Sequence, residues 1–516
     1  MDFYNRRDYL DETELESKGI SEIQTFYANK TIFITGASGF VGTLVLEKLL
    51  RTCKDLRKVY VLFRSSKRKN IQERLVEYFN DPVFERMKSE NPTYYTQVTC
   101  IQGDLSLDQL GLLTEDRKTI VDNTQIILHV AATVKFDEHL ADAYNINVKG
   151  TKTMIQLAEL MKQLQSFVYV STAYSNCDRK HIEEKFYDPV FSDEETITML
   201  QHSERHELAL LLPHILDRKP NTYTFTKTIA EDLVRESSGH LPVVVVRPSV
   251  IMPTLKEPFP YYSNDKNSVL SIAVGAGVGL LRVLSCANDN RLDMIPGDMT
   301  VNCIIAASWN RAVTPHSPLV YNCVSVDSPG FLRELMTANL RNLTEAKEIL
   351  SDQMMWLPHL IIVENTFCLY FLYYILHLLP GLFFSLAEQY FDRKPMIMKI
   401  YRKLFFLSKT VRYFMFNNWS FTNDNTKSLL FQLNARDREL FDFNMASFDW
   451  TNYYSVLYRC IAIYVLKAYT NKENFYPKEM YKRKMKYIEP IDITIRWTFR
   501  LALVYLSYNM LCAVAV

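Results

Sequence analysis

A glycine-rich turn between a short apolar run and a helical pattern constrains this 516-residue chain more than any other feature. The run Thr31–Thr35 leads into glycines spaced three apart, and the helical pattern begins directly behind them. In such a turn the first glycine permits a sharp reversal of the chain, the second lets a pyrophosphate approach the backbone, and the third lets the helix pack on the strand. The N-terminus of the helix also offers free N–H groups and a positive dipole end to the phosphates. An ordinary strand-to-helix turn is the alternative. We predict a dinucleotide site with these residues: Gly36, Ser38, Gly39, Phe40 and Gly42.

Strand patterns alternate with helical patterns over about the first half of the chain. Such alternation is typical of a parallel sheet with helices on both faces. We therefore predict an α/β fold with a Rossmann-type, doubly wound parallel sheet. Beyond the first strand, the predicted strands are Lys58–Phe63, Val98–Ile101, Thr124–Val130, Ser166–Val170 and Pro242–Val246, and a helix is predicted over Asn147–Met161.

The length exceeds what one hydrophobic core organises, so we expect several domains. The dinucleotide-binding domain is followed by a smaller helical C-terminal domain and a hydrophobic tail. The predicted boundaries are a polar lead-in over 1–29, the Rossmann domain with substrate-side insertions over 30–335, a linker over 336–365, the helical domain over 366–475 and a transmembrane anchor over 497–516.

Composition excludes several classes of function. A net charge of +1 argues against a general nucleic-acid binder. The nine cysteines include no C-x-x-C pair, which indicates reduced thiols and no zinc site. The charged N-terminal residues include no apolar leader, so we expect no secretory signal.

Basic residues after the second predicted strand indicate which nicotinamide cofactor is used. Arg64, Lys67 and Arg68 stand where an NAD site usually carries an acidic residue for the ribose 2′-hydroxyl. A cluster of bases instead favours the 2′-phosphate of NADPH. A solvated basic loop is the alternative.

Further cofactor contacts are predicted at the ends of two other strands. Asp104, followed by Leu105, is placed to accept a hydrogen bond from the adenine amino group, although a simple turn aspartate fits equally well. Ala131 is small enough for the chain to run close to the cofactor, and core packing is the alternative.

Catalytic chemistry is predicted from Tyr223 and Lys227, four residues apart on one helical face, with Thr172 at the end of the fifth strand. A phenol has a pKa of about 10 and is a poor acid near neutral pH. A nearby ammonium should lower that pKa toward the working range. Lys227 would also bind the nicotinamide ribose. Thr172, or less favourably Ser171, would hold a substrate carbonyl oxygen, and Tyr223 would donate the proton.

Twelve motifs along the chain point to one family. They are TGASGFVG, NDPVF at 80–84, GDLS at 103–106, HVAATVKFDE at 129–138, NVKGT at 147–151, VSTAYSN at 170–176, YTFTK, RPSV at 247–250, DMIPGDMTVN at 293–302, RKPMIMKIYRKL at 393–404, NWSF at 418–421 and SFDWTNYY at 447–454. In these motifs the sequence resembles the alcohol-forming fatty acyl-CoA reductases of the extended short-chain dehydrogenase/reductase superfamily. The resemblance implies that Tyr223 and Lys227 are the catalytic pair and that the three glycines bind NADPH. It also implies reduction of long-chain acyl-CoA, of sixteen to eighteen carbons, to a primary alcohol through an enzyme-held aldehyde.

Three C-terminal segments concern a membrane. Thr366–Ala387 carries no charge and is long enough to span, although a buried or half-inserted hairpin fits equally well. Met396–Phe416 has the pattern of a basic amphipathic helix lying on the bilayer, although a core helix whose basic side chains reach the surface fits equally well. The apolar tail Trp497–Val516 follows a basic cluster, which predicts an anchor with the catalytic domain in the cytosol, on the endoplasmic reticulum or peroxisome. A docked C-terminal helix is the alternative.

Two other classes of function remain open from the residues alone. One is another extended reductase, such as a sterol dehydrogenase, a sugar-nucleotide epimerase or an aldehyde-forming acyl-CoA reductase. The other is a membrane lipid-handling protein without catalytic activity, although such a protein needs neither Tyr223 nor Lys227. A homo-oligomer is also left open.

Overall fold

A computed structural model of the chain describes residues 19–65, 70–189, 191–264, 269–331, 357, 359–390, 397–446, 448–460, 486–487, 490–494, 497 and 505. Predictions for Lys67, Arg68 and most of the tail 497–516 lie outside these residues. The chain forms two compact units, each assembled from separate stretches. The sheet unit comprises Met1–Asp265, Arg291–Gly330 and Asn417–Asp449, and the helical unit comprises Lys266–Asn290, Phe331–Phe416 and Trp450–Val516.

The sheet unit is built on seven parallel strands, which confirms the predicted α/β class. The six predicted strands are present with ends shifted by at most two residues, and a seventh lies at one edge. Near-continuous apolar strands of this kind are buried on both faces by helices. Its strands, in spatial order, are β11 (Val320–Cys323), β7 (Val243–Pro248), β5 (Ser166–Val170), β4 (Ile126–His129), β1 (Thr31–Thr35), β2 (Lys58–Phe63) and β3 (Val98–Gln102).

Helices follow the strands of this unit, and short strand pairs supplement the sheet. The pairs are β6 (His181–Ile182) with β13 (Ser420–Phe421) and β8 (Val250–Met252) with β10 (Met294–Pro296). The helices are α1 (Glu22–Tyr27), α2 (Phe40–Thr52), α3 (Ile71–Phe79), α4 (Glu85–Glu90), α5 (Tyr94–Gln97), α6 (Thr114–Asn123), α7 (Leu140–Tyr144), α8 (Gly150–Glu159), α9 (Asp193–His202), α10 (Arg205–Leu216), α11 (Thr222–Ser237), α13 (Gly297–Val313), α17 (Asp424–Gln432) and α18 (Ala435–Leu440).

Strand order places a ligand crevice at one point of the sheet. From β1 the chain proceeds through β2 and β3 to one side, and β4, β5, β7 and β11 occupy the other side. The carboxyl ends of β1 and β4 are adjacent, with Thr35 opposite His129. A dinucleotide binds outside this reversal point in open α/β sheets.

Residues 417–449 belong to the sheet unit, although their position in the chain suggested the C-terminal domain. The Trp419 indole donates to the Cys177 carbonyl at 2.9 Å, and Ser420 pairs with His181. The Asp437 carboxylate accepts from the Glu22 amide at 2.9 Å, which ties this segment to α1. Contacts distant in sequence therefore decide the unit, and the linear boundaries stay a prediction.

In the described part of the chain, the helical unit contains helices and the strand pair β9 (Val283–Ser285) and β12 (Ile361–Val363). Among the described residues, Thr366–Tyr390 is the one helix whose length and composition would allow it to cross a membrane. A π turn, Tyr374–Leu378, joins its two parts. The helices are α12 (Val269–Gly277), α14 (Thr366–Tyr373), α15 (Leu379–Tyr390), α16 (Ile397–Phe416) and α19 (Trp450–Cys460).

Candidate functional site

The glycine turn has a geometry that side chains would prevent. Gly36 has a φ of +75°, and a Cβ on it would lie 2.6 Å from the Ala131 amide nitrogen. A Cβ on Gly42 would lie 2.1 Å from the Gly36 carbonyl oxygen. The first glycine therefore lets β1 turn beside the end of β4, and the third lets α2 start against the turn. Ala131 is the small residue at this close approach.

The same turn fits the pyrophosphate of a nicotinamide cofactor. Gly39 is the N-cap of α2 and supplies no side chain to cap the first amides. Ser38 and Gly39 are exposed, and Phe40 is half-buried with its ring 6.2 Å from that of Tyr262. An uncapped helix start at the reversal point presents N–H groups and a positive dipole end to an anion.

The residues predicted to bind the adenosine end lie together at the ends of β2 and β3. The Arg64 guanidinium is 3.3 Å from the Asp104 carboxylate. That carboxylate also accepts from the amide and the hydroxyl of Ser106, each at 2.9 Å. Leu105 is buried against Gly150, where an added Cβ would lie 3.0 Å from the Cβ of Leu105. Arg64 is thus exposed beside an acidic partner, and Leu105 packs the sheet against α8.

Helix α11 brings Tyr223 to Thr172. The Asn221 side chain caps the helix by accepting from the Thr224 amide at 2.9 Å. Tyr223, in the first turn, is half-buried, and the Thr172 hydroxyl lies near enough to lower the pKa of the phenol. The ring of Phe136 stacks on the Tyr223 ring at 6.0 Å. Two of the three predicted catalytic side chains therefore lie close together.

Lys227, one turn further along α11, is buried beneath them. Its ammonium donates to the Val170 carbonyl at 2.7 Å and to the Tyr169 hydroxyl at 3.2 Å. Burial lowers the pKa of Lys227 to about 7, against a smaller opposing effect of the Glu231 carboxylate. The lysine therefore titrates near neutral pH.

The expected lowering of the Tyr223 pKa is not found. Burial raises the pKa of this phenol above its ordinary value, and the nearby Thr172 hydroxyl offsets only part of the rise. The Lys227 ammonium is committed to Val170 and Tyr169. Sequence spacing placed the lysine correctly along the helix but could not supply the desolvation that governs the phenol.

A buried ion pair supports this arrangement and was missed from the sequence. The Glu231 carboxylate receives two hydrogen bonds from the Arg247 guanidinium, at 2.6 and 3.0 Å, and both side chains are almost fully buried. It also accepts from the hydroxyls of Ser171 and Ser175, at either side of Thr172. Glu231 follows Lys227 by four residues, so the spacing of Tyr223, Lys227 and Glu231 along one helix face was the available signal.

His129, at the end of β4, is a structural residue. Its Nδ1 lies 2.7 Å from the Thr35 hydroxyl and its Nε2 lies 3.0 Å from the Thr151 hydroxyl. Burial lowers its pKa to about 3, so the ring is neutral at physiological pH. No cluster of metal-ligating side chains is present among the described residues.

Two solved structures share this fold, and both are described as reductase domains. The terminal R domain of the myxalamid PKS-NRPS biosynthetic pathway has a TM-score of 0.54 and 18% identity, and the match covers 87% of this chain and 97% of that one. A thiolation-reductase di-domain from an archaeal non-ribosomal peptide synthetase has a TM-score of 0.50 and 16% identity, covering 89% and 81%. These likenesses establish the fold.

Sequence comparisons establish the family. Two family descriptions, both "Male sterility protein", match: an NAD-binding family over residues 34–304 and a family called Sterile over residues 376–468. The chain is 39% identical to fatty acyl-CoA reductase wat of Drosophila melanogaster, with 87% of each chain covered. It is 33% identical to fatty acyl-CoA reductase 1 of Homo sapiens, with 84% of each covered. The protein is an oxidoreductase that uses a nicotinamide cofactor. With these relatives aligned over most of its length and theirs, the chain belongs to the fatty acyl-CoA reductase family.

Proposed function

We propose that this protein reduces long-chain fatty acyl-CoA to a primary fatty alcohol with NADPH. The observation that carries the proposal is that the Tyr223 phenol lies beside the Thr172 hydroxyl, with Lys227 buried one helical turn further along α11. The family membership supports acyl-CoA as the substrate class, since the curated relatives are fatty acyl-CoA reductases.

The chain's own residues would polarise the carbonyl and supply the proton. NADPH, when bound, supplies the hydride. The Thr172 hydroxyl would hold the carbonyl oxygen beside Tyr223, and the phenol would protonate that oxygen as charge develops on it. A raised pKa keeps Tyr223 protonated before the reaction, as a proton donor requires. Lys227 would orient the nicotinamide ribose from the adjacent turn of α11.

Two successive reductions at this one site would give the alcohol. The thioester gains a hydride and a proton to form a hemithioacetal. Its hydroxyl returns the proton to the Tyr223 phenolate, CoA leaves as the thiolate and an aldehyde remains. The aldehyde gains a second hydride and a second proton to form the alcohol. Each buried CH₂ is worth about 0.8 kcal/mol, so a long-chain aldehyde has little tendency to leave an apolar pocket for water. We therefore expect it to stay for the second step.

The experiment uses membranes containing the full protein, NADPH and a panel of acyl-CoAs, with semicarbazide as an aldehyde trap and mass spectrometry of the products. We expect primary alcohol, two NADPH consumed per CoA released and little trapped aldehyde. Tyr223→Phe should lower turnover by at least about 10²-fold, the usual effect of losing a general acid, while cofactor binding survives. Trapped aldehyde as the main product, with one NADPH per CoA, would show an aldehyde-forming enzyme instead.

The choice of NADPH rests on Arg64, which is exposed at the end of β2. Its guanidinium would bind the 2′-phosphate in place of the acidic residue of an NAD site. Arg64→Gln removes the charge without placing a second acid beside Asp104. We expect KM for NADPH to rise much more than KM for NADH. An equal change in both would refute this assignment.

The location proposed is a membrane anchored by the tail 497–516, on the endoplasmic reticulum or peroxisome with the catalytic unit in the cytosol. The support is the uncharged run Leu501–Val516, which follows four basic residues: Lys482, Arg483, Lys484 and Lys486. Deleting 497–516 should make the protein extractable by carbonate. If the truncated protein stays integral, the tail is not the anchor.

A further inference from the structure

We propose that the helix Thr366–Tyr390 docks flat on an anionic membrane surface, with its aromatic face among the lipid chains, and does not cross the bilayer. It would be a second, in-plane attachment of the helical unit. This inference concerns an interaction surface and stands apart from the proposed reaction, because none of its residues has a catalytic role here.

This helix exposes large apolar side chains and buries a histidine, which is the reverse of the usual pattern in a water-soluble protein. Phe367 is 77% exposed, Phe383 is 70% exposed and Leu386 is 66% exposed. The buried stripe on the opposite side is narrow and includes Leu369, the polar His377 and Gly381. Large contiguous apolar surfaces of this kind mark sites of protein or membrane contact.

Near the middle of the helix, the buried stripe packs against polar groups of the helical unit. The His377 ring Nε2 accepts a hydrogen bond from the Arg282 backbone amide at 2.9 Å. The Arg282 guanidinium pairs with the Asp492 carboxylate at 3.1 Å, and both side chains are buried. The Arg282 carbonyl in turn accepts from Ile361, where the strand pair β9–β12 begins.

A spanning orientation would carry this polar structure into the bilayer. A short two-stranded sheet and a charged pair would then lie at the depth of His377, near the middle of the helix. Open sheet edges do not occur in the hydrocarbon region, and buried charges there are costly. An orientation in the membrane plane keeps the strands and the ion pair on the aqueous side and places only the exposed aromatic face in lipid.

The neighbouring helix α16 supplies the charge expected of a membrane surface contact. It lies antiparallel to Thr366–Tyr390, with Phe405 against Tyr373 at 4.3 Å and Tyr401 against His377 at 5.3 Å. Its 20 residues contain no Asp or Glu. Four of its basic side chains are exposed: Lys399, Arg402, Lys403 and Lys409. Basic residues beside an apolar face attract anionic headgroups, so we assign a lipid surface as the occupant.

The first test measures depth with nitroxide spin labels on the full chain in phosphatidylcholine–phosphatidylserine vesicles. Labels are placed by Phe371→Cys and Phe383→Cys, and a control label by Leu210→Cys in the sheet unit, which is 67% exposed. Cys368, Cys460 and Cys512 are replaced by serine to limit labelling to the chosen sites. Collision rates with oxygen and with a water-soluble nickel chelate report lipid and water access.

We expect the two helix labels to favour oxygen and to report the same shallow depth, while the control favours the nickel chelate. In a spanning helix the two positions would differ in depth by roughly 18 Å, given 1.5 Å per residue. A clear difference in depth would therefore overturn the proposal. Shielding of both labels from both reagents would also overturn it, because it would show a second protein copy on this face.

The second test concerns charge. The oxygen preference of the Phe383→Cys label should be greater in vesicles with phosphatidylserine than in phosphatidylcholine alone. The combined change Arg402→Glu and Lys403→Glu should remove that difference. Lys162→Glu, an exposed lysine of the sheet unit, is the matched control and should leave it intact. If the protein with its natural basic residues gives the same oxygen preference in both kinds of vesicle, the assignment to an anionic surface is overturned.

Discussion

Two helices of this protein place their side chains in opposite ways. Helix α11 directs Lys227 and Glu231 inward, where both are almost fully buried. The helix Thr366–Tyr390 directs Phe367 and Phe383 outward, where most of each side chain is exposed. Hydropathy alone would have exposed the first pair and buried the second.

The difference shows that burial follows the available partners. Each buried charge of α11 has hydrogen-bond partners at fixed positions, Val170 for Lys227 and Arg247 for Glu231. Such partners offset the cost of removing a charge from water. The exposed aromatic face of Thr366–Tyr390 is apolar, so the lipid contact that we propose for it needs no hydrogen-bond partners.

The largest effect should come from breaking the buried pair of α11. Glu231→Gln leaves the Arg247 guanidinium buried without a countercharge, and breaking such a pair costs about 3–5 kcal/mol. We expect the free energy of unfolding in detergent to fall by that amount. The control Glu236→Gln changes an exposed residue of the same helix and should stay within about 0.5 kcal/mol. If both substitutions lower the free energy of unfolding by the same small amount, Glu231 does not form the buried pair with Arg247.

A smaller effect should appear in the pH dependence of stability. With a folded pKa of about 7 and an unfolded value of about 10.4, Lys227 binds more protons in the unfolded state between these values. Its contribution to the free energy of unfolding therefore rises with pH across that window and falls as pH drops toward 7. Relative to Lys227→Met, the natural protein should gain roughly 2 kcal/mol from about pH 7 to about pH 9.

Thermal unfolding scans at several pH values measure this gain. Lys162→Met, at an exposed position, should show no such relative change. A pH-independent difference between the natural protein and Lys227→Met would contradict a lysine that is neutral in the folded state at high pH.

The smallest effect on stability is expected on the outward face of the second helix. Phe383→Ser in detergent should change the free energy of unfolding by less than about 0.5 kcal/mol, because the side chain has few contacts to lose. Leu369→Ser, in the buried stripe of the same helix, should cost at least about 2 kcal/mol. Chemical denaturation of both variants makes the comparison, and a large loss at Phe383 would place it in a protein core.

Local sequence was enough to predict the glycine turn, six strands of the sheet and the helix face shared by Tyr223 and Lys227. The turn from Gly36 to Gly42 requires glycine at positions where a Cβ would meet backbone, and the apolar strands follow from their composition. The spacing of Tyr223 and Lys227 places both on one helix face by helical geometry alone. The family resemblance rested on such local motifs and is confirmed.

Tertiary structure alone decided what those residues experience. The pKa of Tyr223 is raised because the surrounding fold removes water from the phenol, which no spacing of residues expresses. Arg247 meets Glu231 because β7 and α11 pack together, and residues 417–449 join the sheet unit through contacts with Cys177 and Glu22. Sequence sets what each segment can do locally, whereas desolvation and pairing depend on groups that only the folded chain brings together.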